Sequence, residues 1–204
     1  MATRIPPPVS KVRKDPQQAR SRATFTAILD AAARILGERG WQGLTTNGAA
    51  ELAGVSIGSL YQYFPNKLAL VEAVRGRHFD EVLTVLRAGT DARMTRAQRI
   101  EGLVDGMIAV HSRCPSAHRV LIEESPRGAD ARGTHDRFHR ECQRAYEAIV
   151  RINNGNTADV RIAAQVLAAA LAGAVHDAAL HGTLCTAGLR RALVHLASSY
   201  LAAC

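Results

Sequence analysis

Residues 45–67, TTNGAAELAGVSIGSLYQYFPNK, contain two short helical patterns separated by a glycine. Thr45 and Ser56 stand where each pattern begins, and both residue types are favoured as helix N-caps. Gly54 permits the tight backbone turn between the two patterns. Residues 54–66 carry no charge, although the protein has a net charge of +8. Two short helices joined in this way are typical of a helix-turn-helix, whose second helix enters the major groove of DNA.

The second helix has the side chains needed to approach base edges. Ile57 can contact a thymine methyl group, and Gln62 can pair with adenine. Tyr61 and Tyr63 can donate hydrogen bonds to phosphates, and Lys67 adds a positive charge. The residues predicted to contact DNA are Thr45, Thr46, Asn47, Ser56, Ile57, Gly58, Ser59, Tyr61, Gln62, Tyr63 and Lys67. Alternatively, the aromatic stretch of this helix packs into a helical core.

The spacing of this segment resembles that of one known family. The positions that carry the resemblance are Ala53, Gly54, Val55, Ser56, Gly58, Leu60, Tyr61, Tyr63, Phe64 and Lys67. Over roughly residues 20–75 the chain resembles the TetR (tetracycline-repressor) family of bacterial transcriptional regulators. The resemblance implies an all-α fold with a three-helix DNA-binding head and a larger helical body. It also implies a near-palindromic double-stranded DNA operator and a homodimer paired through its last two helices.

Composition agrees with this organisation. The 204 residues are 47% hydrophobic and only 4% aromatic, which favours close-packed helices, and no strand pattern appears. Basic residues are concentrated at the front of the chain, a pattern expected for a partner that is a polyanion. We predict an all-α protein with a disordered basic arm over 1–16, a helix-turn-helix domain over 17–67, and a helical effector-binding and dimerisation domain over 68–204.

Two apolar stripes in the C-terminal part predict a site for a small, largely apolar effector. His111, His139 and Tyr146 are candidates for orienting a polar end of that ligand. The full predicted pocket consists of Leu103, Met107, His111, Phe138, His139, Cys142 and Tyr146. Alternatively, these stripes meet as packed core without any cavity.

The last two helical patterns predict a dimer interface. The pattern from 157 to 181 is apolar on nearly every side, so one of its faces should be buried by something outside its own fold. The residues predicted to form this interface are Leu171, Ala174, Leu189, Leu193, Leu196 and Tyr200.

The sequence also bears on enzyme and metal chemistry. No nucleophile, P-loop or zinc-protease motif appears, so we expect no enzyme activity, no catalytic residues, no cofactor and no metal. The set His135, His139 and Cys142 leaves a metal- or redox-sensing regulator as an alternative. A helical enzyme or carrier with a vestigial head is a further alternative. We expect a cytoplasmic protein with no membrane partner, because signal-peptide and membrane-span patterns are absent.

Overall fold

A computed structural model describes residues 18–113, 115, 117, 120–126, 131–153 and 159–203. Every regular element within those residues is helical, which confirms the all-α prediction. The predicted basic arm, residues 1–16, lies outside the described residues.

The chain divides into two compact units. The N-terminal unit comprises Met1–Arg77 and Ser116–Thr134, and the C-terminal unit comprises His78–Pro115 and His135–Cys204. The N-terminal unit therefore first ends at residue 77, ten residues after the predicted domain boundary at 67. A later segment, Ser116–Thr134, also belongs to the N-terminal unit. The assignment of domains by function remains a prediction.

The N-terminal unit contains the helix-turn-helix. Its elements are α1 (Ala19–Gly43), α2 (Thr46–Leu52), α3 (Ile57–Tyr63), the first half of α4 (Lys67–Ala88) and a π-helical turn (Val120–Glu124). Gly40 interrupts helical geometry near the end of α1 with a φ of 67°. Gly54 makes the turn between α2 and α3 with a φ of 66°, a conformation that glycine adopts without steric cost.

Side-chain caps fix where these helices begin. Thr45 Oγ1 accepts a hydrogen bond from the Gly48 amide at 3.0 Å, as predicted for an N-cap. Asn66 Oδ1 accepts from the Ala69 amide at 2.9 Å and satisfies one free donor at the start of α4. The short helices are therefore defined by local hydrogen bonds.

A buried arginine holds the π-helical turn in the N-terminal unit. Arg75 on α4 is 3% exposed and donates from Nε and Nη2 to the Leu121 carbonyl oxygen at 2.9 and 2.8 Å. It also donates to Ser125 Oγ and forms an ion pair with Glu72. Because a buried guanidinium needs several acceptors, this turn supplies the oxygens that make the burial tolerable.

The C-terminal unit contains one continuous apolar core. Its helices are the second half of α4, α5 (Arg96–Ser112), most of α6 (Ala131–Asn153), α7 (Val160–Leu180) and α8 (Ala187–Ala203). Thr95 and Gln98 form the capping box that begins α5. Gly106 allows α5 to approach α4 closely, since a Cβ atom there would lie 2.6 Å from Val85 Cγ1.

The helix α7 is long and apolar enough to cross a membrane by length and composition alone. A core helix of a soluble protein passes the same test. Only part of α7 is buried inside the chain, and its inward residues join the core of the C-terminal unit. The expected absence of a membrane partner remains a prediction.

Candidate nucleic-acid interface and effector site

The helix α3 presents an uncharged polar and apolar face to solvent. Ser56 Oγ caps it by accepting from the Ser59 amide at 3.1 Å, so the first turn is anchored. Ile57, Tyr61 and Gln62 are exposed, and Tyr61 retains 41% of its accessible surface. Exposed aromatic and aliphatic side chains on a short helix are typical of a surface that binds a partner.

The opposite face of α3 is packed into the N-terminal unit. Leu60 and Phe64 are completely buried. Tyr63 is 6% exposed, and its ring lies 5.7 Å from that of Phe25. We therefore correct the assignment of Tyr63 from a phosphate contact to a packing residue, because its ring is enclosed. Its hydroxyl makes only long contacts, of 3.4 and 3.5 Å, with Ser21.

The start of α2 lies beside α3. Thr46 Oγ1 and the Tyr61 hydroxyl share a hydrogen bond of 3.1 Å, which links the two helices of the motif. Thr45 and Asn47 are exposed next to them. The predicted DNA residues at the start of α2 and along the outer face of α3 are therefore brought together, with Tyr63 excepted.

Lys67 is held at the start of α4. Its Nζ lies 4.0 Å from the centroid of the Trp41 ring, a cation–π contact that restrains the side chain. Partial burial lowers the pKa of the Lys67 ammonium from its ordinary value of 10.5. Trp41 thus positions the positive charge that the sequence assigned to a phosphate.

Most predicted pocket residues lie in or against the core of the C-terminal unit. Leu103, Met107, His111 and Tyr146 are buried there, whereas Phe138 and Cys142 are partly buried against it. The predicted pocket residue His139 is placed differently. Its side chain is exposed and turned toward a neighbouring histidine, so we correct its assignment as a pocket residue.

Three imidazoles from three helices meet within the C-terminal unit. The ring of His111 lies 5.1 Å from that of His78 on α4 and 5.1 Å from that of His176 on α7. His111 Nδ1 lies 2.8 Å from the Met107 carbonyl oxygen and donates to it. Burial lowers the pKa of His111, and burial together with repulsion from His111 lowers the pKa of His176 to about 4. Both shifts favour the neutral imidazole at His111 and His176. Of these three histidines, the sequence assigned only His111 to the predicted pocket, because periodicity within one helix does not show which residues of other helices face it.

Tyr146 carries a buried polar group inside this apolar core. The residue is 4% exposed, and its hydroxyl makes no hydrogen bond with any described residue. Burial raises the pKa of Tyr146 above its ordinary value of 10.0. A buried hydroxyl without a partner is rare in proteins and marks a place where a ligand or water can bind.

An open groove of about 310 Å³ lies elsewhere on the C-terminal unit. Its lining residues are Leu83, Arg87, Thr90, Glu141, Arg144, Ala145 and Ala148. None of the predicted pocket residues lines it, so this groove is distinct from the predicted effector site.

The predicted dimer residues divide into two groups. Leu171 and Leu193 are each 2% exposed and lie in the core of their own chain, so we correct their assignment as dimer contacts. Ala174, Leu189 and Tyr200 are partly buried, whereas Leu196 is exposed. The large apolar side chains exposed on α7 are Ile162, Val166 and Leu180. Sequence periodicity missed them because α7 is apolar on almost every side.

The possible metal set from the sequence does not assemble as three ligands. Among the described residues, no group of three or more His, Cys, Asp or Glu side chains is arranged to hold a metal ion. Cys142 packs against the core while His139 is exposed and turned toward His135. Burial, with a contribution from Glu141, raises the pKa of the Cys142 thiol to about 12, which disfavours the thiolate that metals bind.

An exposed, uncharged recognition helix in a helix-turn-helix, followed by a second helical unit, defines the architecture of a DNA-binding transcriptional regulator. The family model for bacterial regulatory proteins, tetR family, matches residues 28–74. The model for the tetracyclin repressor-like C-terminal domain matches residues 96–201, more than half of the chain. The chain belongs to the TetR family of bacterial regulatory proteins, as the sequence resemblance implied.

Curated relatives match over part of their length. The HTH-type transcriptional repressor KstR of Mycolicibacterium smegmatis is 32% identical over 88 residues, which are 43% of each chain. The HTH-type transcriptional activator FasR of the same species is 29% identical over 96 residues, covering 47% of this chain and 44% of FasR. The chain thus spans less than half the length of these relatives.

Solved structures share the fold over most of the chain. A regulator from Pseudomonas aeruginosa PAO1 has a TM-score of 0.72 at 20% identity and covers 92% of this chain and 91% of its own. SmeT of Stenotrophomonas maltophilia, solved in complex with triclosan, has a TM-score of 0.66 at 23% identity and covers 89% and 91%. At these identities the likeness shows the fold alone.

Proposed function

We propose that the protein is a cytoplasmic, homodimeric repressor without enzyme activity, which binds a near-palindromic DNA operator and is released by a small, largely apolar effector. The observation that carries the DNA-binding part is the exposed face of α3, which is uncharged within a protein of net charge +8. Base edges are read by hydrogen bonds and methyl contacts, for which this face has the right side chains.

Within this proposal, base readout and phosphate contact belong to different residues. Gln62 and Ile57 face outward and would meet base edges. Tyr61 and Lys67 would contact phosphates, with Tyr61 steadied by Thr46 and Lys67 by Trp41. Phosphate contacts fix position on the duplex, whereas base contacts specify sequence.

This division is tested by selecting operator DNA from random duplexes and measuring affinity by fluorescence anisotropy at several salt concentrations. Lys67→Ala should weaken binding to all sequences and reduce the salt slope by about 1. Gln62→Ala should change which sequences are preferred while leaving the slope unchanged. If Lys67→Ala alters neither affinity nor slope, the assigned phosphate contact is wrong.

The dimer proposal is supported by the exposed apolar side chains of α7 and α8. Leu180 retains 60% of its surface, and Val166 and Leu196 are also exposed. Exposed apolar groups clustered on long helices are typical of subunit interfaces. A two-fold dimer would place two recognition helices on the two halves of a palindrome.

Light scattering tests this interface. Val166→Arg should give a monomer with much weaker operator binding, since a buried unpaired charge is strongly unfavourable. Met94→Arg is the matched control, because Met94 is equally exposed in the C-terminal unit but lies outside α7 and α8. A wild-type protein that is monomeric at micromolar concentration would contradict the proposal.

The effector proposal is supported by the Tyr146 hydroxyl, which is buried and unpartnered among the described residues. An apolar ligand with one polar group could accept or donate the missing hydrogen bond. SmeT, which shares the fold, was solved with triclosan bound. Cys142→Trp should place a bulky ring one helical turn from Tyr146 and block release from DNA while leaving operator binding intact. An unfolded variant would indicate packed core at this position.

Repression rather than activation is favoured by the similarity to KstR, a repressor, although FasR is an activator. A reporter gene placed downstream of the selected operator distinguishes the two directions. Expression should rise when the chromosomal copy is deleted, and a fall would establish an activator.

A further inference from the structure

Two histidines lie one helical turn apart on the surface of α6. His135 and His139 are separated by four residues, so their side chains project from the same side of the helix. Their Nε2 atoms are 2.9 Å apart, and the ring centroids are 4.5 Å apart. His139 is exposed and His135 is half-buried, with its Nδ1 atom enclosed, and the two Nε2 atoms share a hydrogen bond.

The separation of the two nitrogens fits a bidentate metal chelate. A divalent transition metal bonds imidazole nitrogen at about 2.0–2.1 Å. With both bonds near that length, a nitrogen separation of 2.9 Å corresponds to an angle of about 90° at the metal. Right angles are found in square-planar and tetragonal sites of Cu(II) and Ni(II), whereas tetrahedral zinc needs a wider spacing.

Aromatic packing fixes the orientation of this pair. The His135 ring lies 5.7 Å from the Phe79 ring of α4, and Phe79 stacks on Phe138 at 3.9 Å. The His139 ring lies 6.0 Å from Phe138 on its other side. Both imidazoles are therefore held side by side, which reduces the entropy lost on binding, and a metal ion would replace the hydrogen bond between their Nε2 atoms.

No third protein ligand joins the pair among the described residues. The nearest candidate in sequence, Cys142, faces the core and holds its proton. Water would fill the remaining coordination positions, as is usual for metals bound at exposed sites.

We propose that His135 and His139 form a two-histidine chelate for a divalent ion of tetragonal preference, Ni(II) or Cu(II). The ion would tie the first turns of α6 together beside Phe79. This proposal is independent of the proposed DNA and effector functions, since neither histidine belongs to the helix-turn-helix or to the core around Tyr146.

Isothermal titration with Ni²⁺, using the full chain in reducing buffer at pH 7.5, tests the site. The wild type should bind one Ni²⁺ per chain in its tightest phase. His139→Ala and His135→Ala should each weaken that phase more than about tenfold, since losing a ligand costs at least as much as losing a supporting contact. His181→Ala is the matched control, because His181 is an exposed histidine outside the pair. This variant should bind Ni²⁺ with the same affinity as the wild type.

A spacing control separates the chelate from a general effect of histidine number. Arg140→His, introduced into the His139→Ala variant, restores the number of histidines but places the second imidazole on a different face. It should not restore binding. Hydrogen exchange over 133–142 should also slow on adding Ni²⁺ to the wild type. Retention of wild-type affinity in His139→Ala, or its recovery with Arg140→His, would overturn the proposal.

Discussion

The hydroxyl of Tyr146 allows a test of the buried site that needs no knowledge of the effector. The group is enclosed in the core of the C-terminal unit without a hydrogen bond to any described residue. Leaving a buried hydroxyl unsatisfied costs about 1–3 kcal/mol of stability. Tyr146→Phe removes only this oxygen and keeps the ring that packs against the core. We therefore expect the free energy of unfolding to rise by about 1–2 kcal/mol.

Urea denaturation followed by circular dichroism measures this change in the effector-free protein. The midpoint should rise while the slope with urea stays constant, because the surface exposed on unfolding is unchanged. In a thermal melt, each 1 kcal/mol corresponds to a shift of about 2–4 °C for a protein of this size. Tyr61→Phe is the contrasting control, since it removes an exposed hydroxyl that shares a hydrogen bond with Thr46, so stability should fall by about 0.5–1.5 kcal/mol instead of rising.

A lower midpoint for Tyr146→Phe would refute the reasoning, because it would mean that the hydroxyl has a partner in solution. The same variant separates stability from function. If an effector contacts this hydroxyl, Tyr146→Phe should bind it more weakly even though the protein is more stable. This opposition between stability and binding is expected where a site keeps a polar group unpaired for its ligand.

Three further predictions concern other positions. His176 has its pKa lowered to about 4 by burial and by His111, so below pH 6.5 the unfolded state binds the proton more readily than the folded state. The contribution of neutral His176 to the free energy of unfolding is therefore complete above pH 6.5 and is lost as pH falls toward 4, by about 3 kcal/mol at most. His176→Gln should flatten this pH dependence in urea titrations made at each pH. Arg75→Met should cost roughly 3–5 kcal/mol, because it removes the ion pair with Glu72 and both arginine hydrogen bonds to the Leu121 carbonyl, leaving that carbonyl the hydrogen bond from Ser125 Oγ. Hydrogen exchange should quicken over 120–125, and unchanged exchange there would show that Arg75 does not hold the turn. Gly106→Ala should lower stability by about 1–3 kcal/mol, since its Cβ would meet the branched side chain of Val85, and a more stable variant would contradict the close approach.

Local sequence was sufficient wherever a structure depends on residues within one turn of each other. Thr45 and Ser56 cap the helices that the sequence predicted, through hydrogen bonds that span three residues. Gly54 adopts the left-handed backbone expected of the turn. The outward face of α3 was also predictable, because its spacing resembles a family in which that segment reads DNA.

The side of each helix that faces its own core was decided by tertiary packing. Tyr63 and Tyr61 are two residues apart and were both assigned to DNA, but Phe25 and Phe64 enclose only Tyr63. On α6, His139 belongs to a stripe that is apolar in sequence, yet its side chain lies outside the core. Periodicity defines a face only when polar residues mark its edges.

The sequence by itself determined that this protein is helical, that residues 45–64 form a helix-turn-helix, and where its helices are capped. It could not determine which leucines of α7 and α8 stay within one chain. Because α7 is apolar on nearly every side, Leu171 and Val166 look equivalent in sequence, but only Leu171 meets the core and Val166 remains exposed. Nor could it show that the turn after residue 119 joins the N-terminal unit, since that depends on Arg75, which lies 46 residues from the carbonyl it binds. Contacts between residues so far apart in sequence form only when the helices pack together. These contacts decide which side of each helix is buried in its own core and which side stays exposed to bind a partner.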